Sequence, residues 1–229
     1  MFKPFAPVAA IAAIAALLTG TSAFAADVSI KYLGKDITAP VLTSAMTTNY
    51  ATGALNYDNL ASGSFVAFCI EPEQPNALSS KGYRTYTVDG FTGAQATLLQ
   101  GLYSSSFSSV SGVNQQAAFQ LAIWEIVRES GSTLSLDQGN GSFFLKTDAS
   151  SGMQLLAANT VQGLANTYLA AAQSYDGAAL YSLTKLTNAS YQDLVIASQV
   201  TAVPEPETYA LLLAGLGAIG LVGCRRLPR

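Results

Sequence analysis

Hydrophobic and polar positions alternate along some stretches of the chain and recur every three to four residues along others, and the two periods predict its elements. Asp27 to Leu33 alternates, with Val28, Ile30 and Tyr32 on one side, as a half-buried strand requires. Phe65-Val66-Ala67-Phe68-Cys69-Ile70 is a continuous apolar and aromatic run closed by Pro72, which predicts a buried strand. Tyr83 to Val88 alternates again before an Asp89-Gly90 turn. Leu180 to Leu186 and Tyr191 to Ala197 predict two late strands, with Thr187-Asn188-Ala189-Ser190 as the hairpin turn. Residues 34–63, rich in Thr, Ala, Asn and Gly and carrying Tyr50 and Tyr57, are expected to be loop-rich and partly β.

Three helices are expected between the strands. Ala94 to Tyr103 sets Leu98, Leu99 and Leu102 on one stripe, and the serine-rich segment 104–111 is expected to break it. Gln115 to Arg128 follows, with Asn114 as its N-cap and Gly131 as its stop. From Ala117 to Val127 this second helix is apolar on nearly every face, so it belongs in the middle of the domain. Met153 to Gln173 predicts a third helix, with Leu156, Val161, Leu164 and Tyr168 roughly on one side. Strands, then helices, then strands make the class α+β, a single ectodomain (26–202) of strands packed around a central buried helix.

The two ends have a different character. Residues 1–25 have the layout of a signal peptide: Lys3 in the n-region, an apolar core from Val8 to Leu18, and the small-x-small site Ala23-Phe24-Ala25. At the other end, Pro204-Glu205-Pro206 precedes an apolar run from Tyr209 to Val222 and then Arg225-Arg226. This order, over residues 203–229, resembles the PEP-CTERM sorting tail of Gram-negative bacteria. The apolar run is short for a helix crossing about 30 Å of hydrocarbon at roughly 1.5 Å per residue. The arginines act as the membrane stop by the positive-inside rule. The resemblance implies an exosortase that recognises Pro204, Glu205 and Pro206 and removes the helix. It implies anchorage in the inner membrane before processing, then the cell surface or a matrix associated with exopolysaccharide and biofilm. A plain anchor with a proline-rich linker is the alternative.

Composition narrows the chemistry. Residues 26–203 carry 7 basic and 12 acidic side chains, a net charge near −5, and no basic stripe, which argues against nucleic acid. The chain has no histidine, which removes Ser-His-Asp and Cys-His pairs and most catalytic zinc sites. No phosphate loop, calcium loop or paired carboxylates stand out, and Glu125 and Glu129 are expected to form a solvated helix edge. No cofactor, no metal and no enzymatic turnover are expected. Of the two cysteines, Cys224 lies at the cytoplasmic edge of the tail, which leaves Cys69 unpaired in an exported domain.

Three segments bear on that cysteine: Phe68-Cys69-Ile70-Glu71, Phe119-Gln120-Leu121-Ala122-Ile123-Trp124, and Tyr191-Gln192-Asp193-Leu194-Val195. Their order and spacing resemble the thioester (TQXA) domain of bacterial surface adhesins over about residues 64–197. The resemblance implies an internal thioester between Cys69 and Gln192, with Gln120 supporting it by hydrogen bonds. Phe119 stands where the family usually has threonine, so a hydroxyl is lost there. On the residues' own chemistry, burial in contact would let a thiol displace ammonia from a carboxamide. An apolar pocket, for which Phe68, Phe119 and Trp124 are candidates, would protect the product from water. An extracellular amine or hydroxyl, on exopolysaccharide or protein, would then be captured covalently. Two other readings stay open: a structural matrix protein in which Cys69 is a small buried hydrophobe, and an enzyme acting on polysaccharide.

Overall fold

The computed structural model describes residues 26–35, 40–131 and 133–200, together with Ala214 and Leu216. The signal peptide 1–25 lies outside the described residues. So do the sorting residues Pro204, Glu205 and Pro206, the stop Arg225-Arg226 and nearly all of the apolar run. Among the described residues no helix is long and apolar enough to cross a membrane.

The alternating segments pair antiparallel into a closed six-stranded barrel. Its strands are β1 (Asp27–Lys35), β4 (Leu55–Asn59), β5 (Gly63–Cys69), β8 (Leu194–Gln199), β7 (Tyr181–Thr187) and β6 (Arg84–Asp89), and β6 returns to β1. Closure leaves no unpaired sheet edge in this layer. A two-stranded flap, β2 (Val41–Leu42) with β3 (Tyr50–Ala51), stands apart from it. Around the ring Ile30, Tyr57, Ala67, Cys69 and Tyr86 are all buried, as alternation in a closed barrel requires.

The helices form a second layer. Helix α2 (Val113–Arg128) contacts α1 (Gly93–Ser106), α3 (Gly152–Ser174) and strand β5. Every residue from Gln116 to Ile126 is buried. Trp124, Phe119, Leu121 and Ile123 are each at most 1% exposed, and such side chains contribute about 1.5–3 kcal/mol apiece. The buried central helix expected from sequence is present, but the strands do not wrap around it. They close on one another, and α2 is pressed between the barrel wall and the other two helices. At Gly101 any Cβ would collide with the backbone of Ala172, so glycine there lets α1 and α3 approach closely.

Several local expectations change. Helix α1 runs on through Ser104, Ser105 and Ser106, because their hydroxyls find partners in place. Ser104 Oγ accepts from Gln100 Nε2 at 3.0 Å and from the Leu180 amide at 3.2 Å. Helix α2 starts two residues early, with Gly112 rather than Asn114 at the cap. Leu156 on α3 is 68% exposed, while Val161, Tyr168 and Leu169 carry the buried face.

Candidate functional site

Strand β5 ends at Cys69 against strand β8, with Phe68 opposite Val195 and Cys69 opposite Leu194. Gln192 does not lie within β8, as the sequence suggested. It sits in the connection 188–193, two residues before the strand begins. That connection is shaped by its own side chains: Asn188 Oδ1 accepts from the amides of Ser190 (2.8 Å) and Tyr191 (3.0 Å). Asp193 Oδ1 accepts from the Asn188 amide at 2.9 Å. The Gln192 amide donates to the Pro75 carbonyl at 3.1 Å, and the Ile70 amide to the Asp193 carbonyl at 2.8 Å. These bonds clamp the two segments together.

The clamp brings the side chains of Cys69 and Gln192 into contact, 123 positions apart in the chain. The thiol donates to Gln192 Oε1, so the carboxamide carbon is one bond beyond the atom that the sulfur touches. Gln192 is fully buried, and Cys69 is 2% exposed and has no disulfide. On its other side the carboxamide donates from Nε2 to the Tyr50 hydroxyl at 2.9 Å. The same hydroxyl is near enough to Cys69 to favour its thiolate. Burial pushes the Cys69 thiol well above its ordinary pKa, against a smaller downward pull from Tyr50. Burial likewise raises Tyr50, with Cys69 the next cause. Tyr32, Tyr57 and Tyr86 are also raised, first by burial and then by proximity to Cys69. The thiol therefore sits in a dry, tyrosine-lined barrel end.

Gln120 comes from α2 and meets the backbone of Cys69. Its Oε1 accepts from the Cys69 amide at 2.8 Å, and its Nε2 donates to the Cys69 carbonyl at 2.7 Å. Trp124, one turn further along α2, packs edge-on against Tyr50 with ring centroids 5.4 Å apart, and against Phe143 at 6.2 Å. Phe68 turns towards the helices, where it meets Phe107 at 6.3 Å and Phe119 at 5.1 Å. It forms the wall behind β5. Phe119 joins the same cluster through Tyr103, Phe107 and Tyr168. A ring at that position fills the seam between barrel and helices.

The expected solvated edge fails at Glu125, while Glu129 stays partly exposed at the end of the helix. Glu125 is fully buried, accepts from the Ser135 amide at 2.8 Å, and has its pKa pushed up to about 8 by burial. Burial would raise Glu129 too, but amides of Gly131, Phe143 and Ser142 outweigh it and hold the carboxyl below its usual range. Both residues tie the 130–143 loop to α2. Among the described residues no cluster of metal-binding side chains is present.

An open polar cavity of about 280 Å³ is lined by Glu71, Gln74, Thr87, Thr187, Asn188 and Asp193, and neither Cys69 nor Gln192 reaches it. It is bounded by the two segments that carry Cys69 and Gln192. Burial first, and then the charge of Asp193, raise Glu71 there. Lys185 lies 3.6 Å from Asp193.

Residues 202–226 match the PEP-CTERM protein-sorting motif. The PEP-CTERM match takes in Pro204, Glu205, Pro206, Arg225 and Arg226, and it marks the chain as one exported and sorted to the surface. No curated protein sequence matches the chain. Among solved structures the chain is similar to the N-terminal domain of the Streptococcus pyogenes pilus tip adhesin Cpa, at 15% identity and TM-score 0.44, covering 74% of this chain and 99% of that one. It is similar to the N-terminal thioester domain of the fibronectin-binding protein SfbI from Streptococcus pyogenes, at 14% identity and TM-score 0.42, covering 77% and 95%. A third is the N-terminal thioester domain of a surface protein from Clostridium perfringens, at 14% identity and TM-score 0.39, covering 76% and 100%.

Tyr50 is the site residue that sequence reasoning missed. It lies in a two-residue strand with no readable period, and the chain has 11 tyrosines. Nothing in the local sequence separates it from the others.

Proposed function

We propose that this chain is an exported adhesin-like protein that forms an internal thioester between Cys69 and Gln192 and fixes itself covalently to an extracellular target. The reading rests on one observation above all: a buried thiol and a buried carboxamide, remote in sequence, held in contact by a paired backbone. Contact of this kind replaces diffusion with a very high effective concentration. In forming the bond, sulfur replaces nitrogen on the carboxamide carbon and ammonia leaves. Exclusion of water then preserves the acyl group. An incoming amine or hydroxyl on a protein or exopolysaccharide takes the acyl group of Gln192, and the Cys69 thiol is regenerated. One event consumes one molecule, so the protein is not an enzyme. Residues 26–202 are the reactive domain, released by exosortase from a C-terminal helix in the inner membrane and retained at the cell surface or in a biofilm matrix.

Methylamine tests the capture step. Treatment of the exported chain should label Gln192 and expose one thiol at Cys69, and Cys69→Ala should take up no label. Failure of the native chain to react contradicts the proposal.

A second reading is favoured by a specific feature: every polar atom of the Gln192 carboxamide has a partner without any covalent bond. A structural matrix protein would use the same contacts as a buried polar pin. It predicts methylamine resistance and target binding that survives Cys69→Ala.

A further inference from the structure

The proposed bond-forming step poses a proton problem that the site itself answers. A thiol must lose a proton and a departing nitrogen must gain one, in a place where burial opposes every charged intermediate. The Cys69 thiolate is disfavoured by burial, and so is the Tyr50 phenolate. With Cys69 and Gln192 buried and no histidine in the chain, the usual buffer or general base is missing. Direct transfer from sulfur to nitrogen on the same carbon would pass through a strained four-membered arrangement. A third group beside the carboxamide, able to give a proton to one atom and take one from the other, removes the strain.

Tyr50 is in that position. Its hydroxyl accepts from Gln192 Nε2 at 2.9 Å, on the same carboxamide whose oxygen accepts from the Cys69 thiol, and it pulls the pKa of that thiol down. Its ring is held by the edge of Trp124 at 5.4 Å, and its backbone by pairing with Leu42 in the β2–β3 flap. Among the described residues Tyr50 is the tyrosine bonded to the Gln192 carboxamide. Tyr57 instead gives its hydroxyl hydrogen to Asn76 Oδ1 at 3.4 Å.

We infer that Tyr50 is a catalytic residue of thioester formation, relaying the thiol proton of Cys69 to the leaving nitrogen of Gln192. The inference rests on the thioester reading above. In the ground state the amide nitrogen is not basic, so the hydroxyl accepts from it. As Sγ adds to the carboxamide carbon, that nitrogen becomes tetrahedral and basic, and the contact reverses. The thiol proton then passes to the Tyr50 oxygen while the hydroxyl's own proton passes to Nε2. The Sγ–Cδ bond forms, the Cδ–Nε2 bond breaks, ammonia leaves and Tyr50 ends neutral. When a target amine later opens the thioester, the same hydroxyl is placed to return a proton to sulfur.

The test follows ammonia loss by intact mass in pulse-labelled full chain, comparing native, Tyr50→Phe and Tyr57→Phe. The native chain and Tyr57→Phe should lose ammonia at similar rates. Tyr50→Phe should fold with an ordinary melting transition yet lose ammonia roughly 10²-fold more slowly or not at all, the range of a lost general acid–base. Equal rates for Tyr50→Phe and the native chain overturn the relay while leaving the thioester standing. A native chain that never loses ammonia overturns the thioester and the relay with it. Should Tyr50→Phe not fold, the native chain decides alone. Two protons moving together give a curved proton inventory in mixed light and heavy water, and a linear inventory overturns the relay.

Discussion

Gln120 grips the backbone of Cys69 at both polar atoms, accepting from its amide at 2.8 Å and donating to its carbonyl at 2.7 Å. Strand β4 pairs with β5 only as far as Ala67, so on that side Gln120 takes the place of a strand just where the sulfur must be held still. A glutamine on the buried helix thus completes the strand from outside. The pairing also fixes the separation of α2 from the barrel end.

Removing that grip strands two buried polar groups. Gln120→Met, similar in length, should destabilise the fold by about 2–4 kcal/mol, since each unsatisfied group costs about 1–3 kcal/mol. Urea unfolding checks this. A change within a few tenths of a kcal/mol would mean that the Cys69 backbone finds other partners.

Phe119→Thr restores the residue type usual in the resembled family but empties the aromatic seam. Phe119 is fully buried among Phe68, Tyr103, Phe107 and Tyr168. Truncating such a ring costs about 3–5 kcal/mol. The melting temperature should fall clearly, while methylamine reactivity of the molecules that remain folded should persist, because Phe119 lies behind β5 and not on the sulfur. Loss of reactivity with unchanged melting would reverse that assignment.

Glu125 gives a pH dependence with a definite sign. Its folded pKa is raised by burial to about 8 from an ordinary 4.5. A raised folded pKa means that the folded state holds the proton more tightly. The contribution is therefore fully present below pH 4.5 and is lost as pH rises towards 8. At about 1.4 kcal/mol per pKa unit the loss is on the order of a few kcal/mol. Glu125→Gln keeps the acceptor for the Ser135 amide and should flatten the fall in melting temperature between pH 5 and pH 8. An unchanged slope would mean that Glu125 ionises freely in the fold.

How much of this was legible beforehand follows from which interactions carry a local signal. The apolar run into Cys69 and the all-round apolar character of Ala117 to Val127 are strong periodic patterns, and both elements form where expected. Barrel closure is set by pairings between remote strands, β1 with β6 and β5 with β8, which leave no mark on either strand alone. The burial of Glu125 was unreadable because its partner is a loop amide. Alternation across Tyr191 to Ala197 predicts a strand through Gln192. The side chains of Asn188 and Asp193 instead hold residues 188–193 as a longer turn. The joint order of the three motifs carried the site, and Tyr50, alone on its flap, had no motif to announce it.

Intact-mass spectrometry of the exported chain, beside Cys69→Ala, tests the central claim most directly. The account predicts a native mass one ammonia below that of its sequence, a difference absent from the variant, with a cross-linked peptide joining Cys69 to Gln192. A native mass equal to its sequence, with a thiol that titrates only on unfolding, would contradict it.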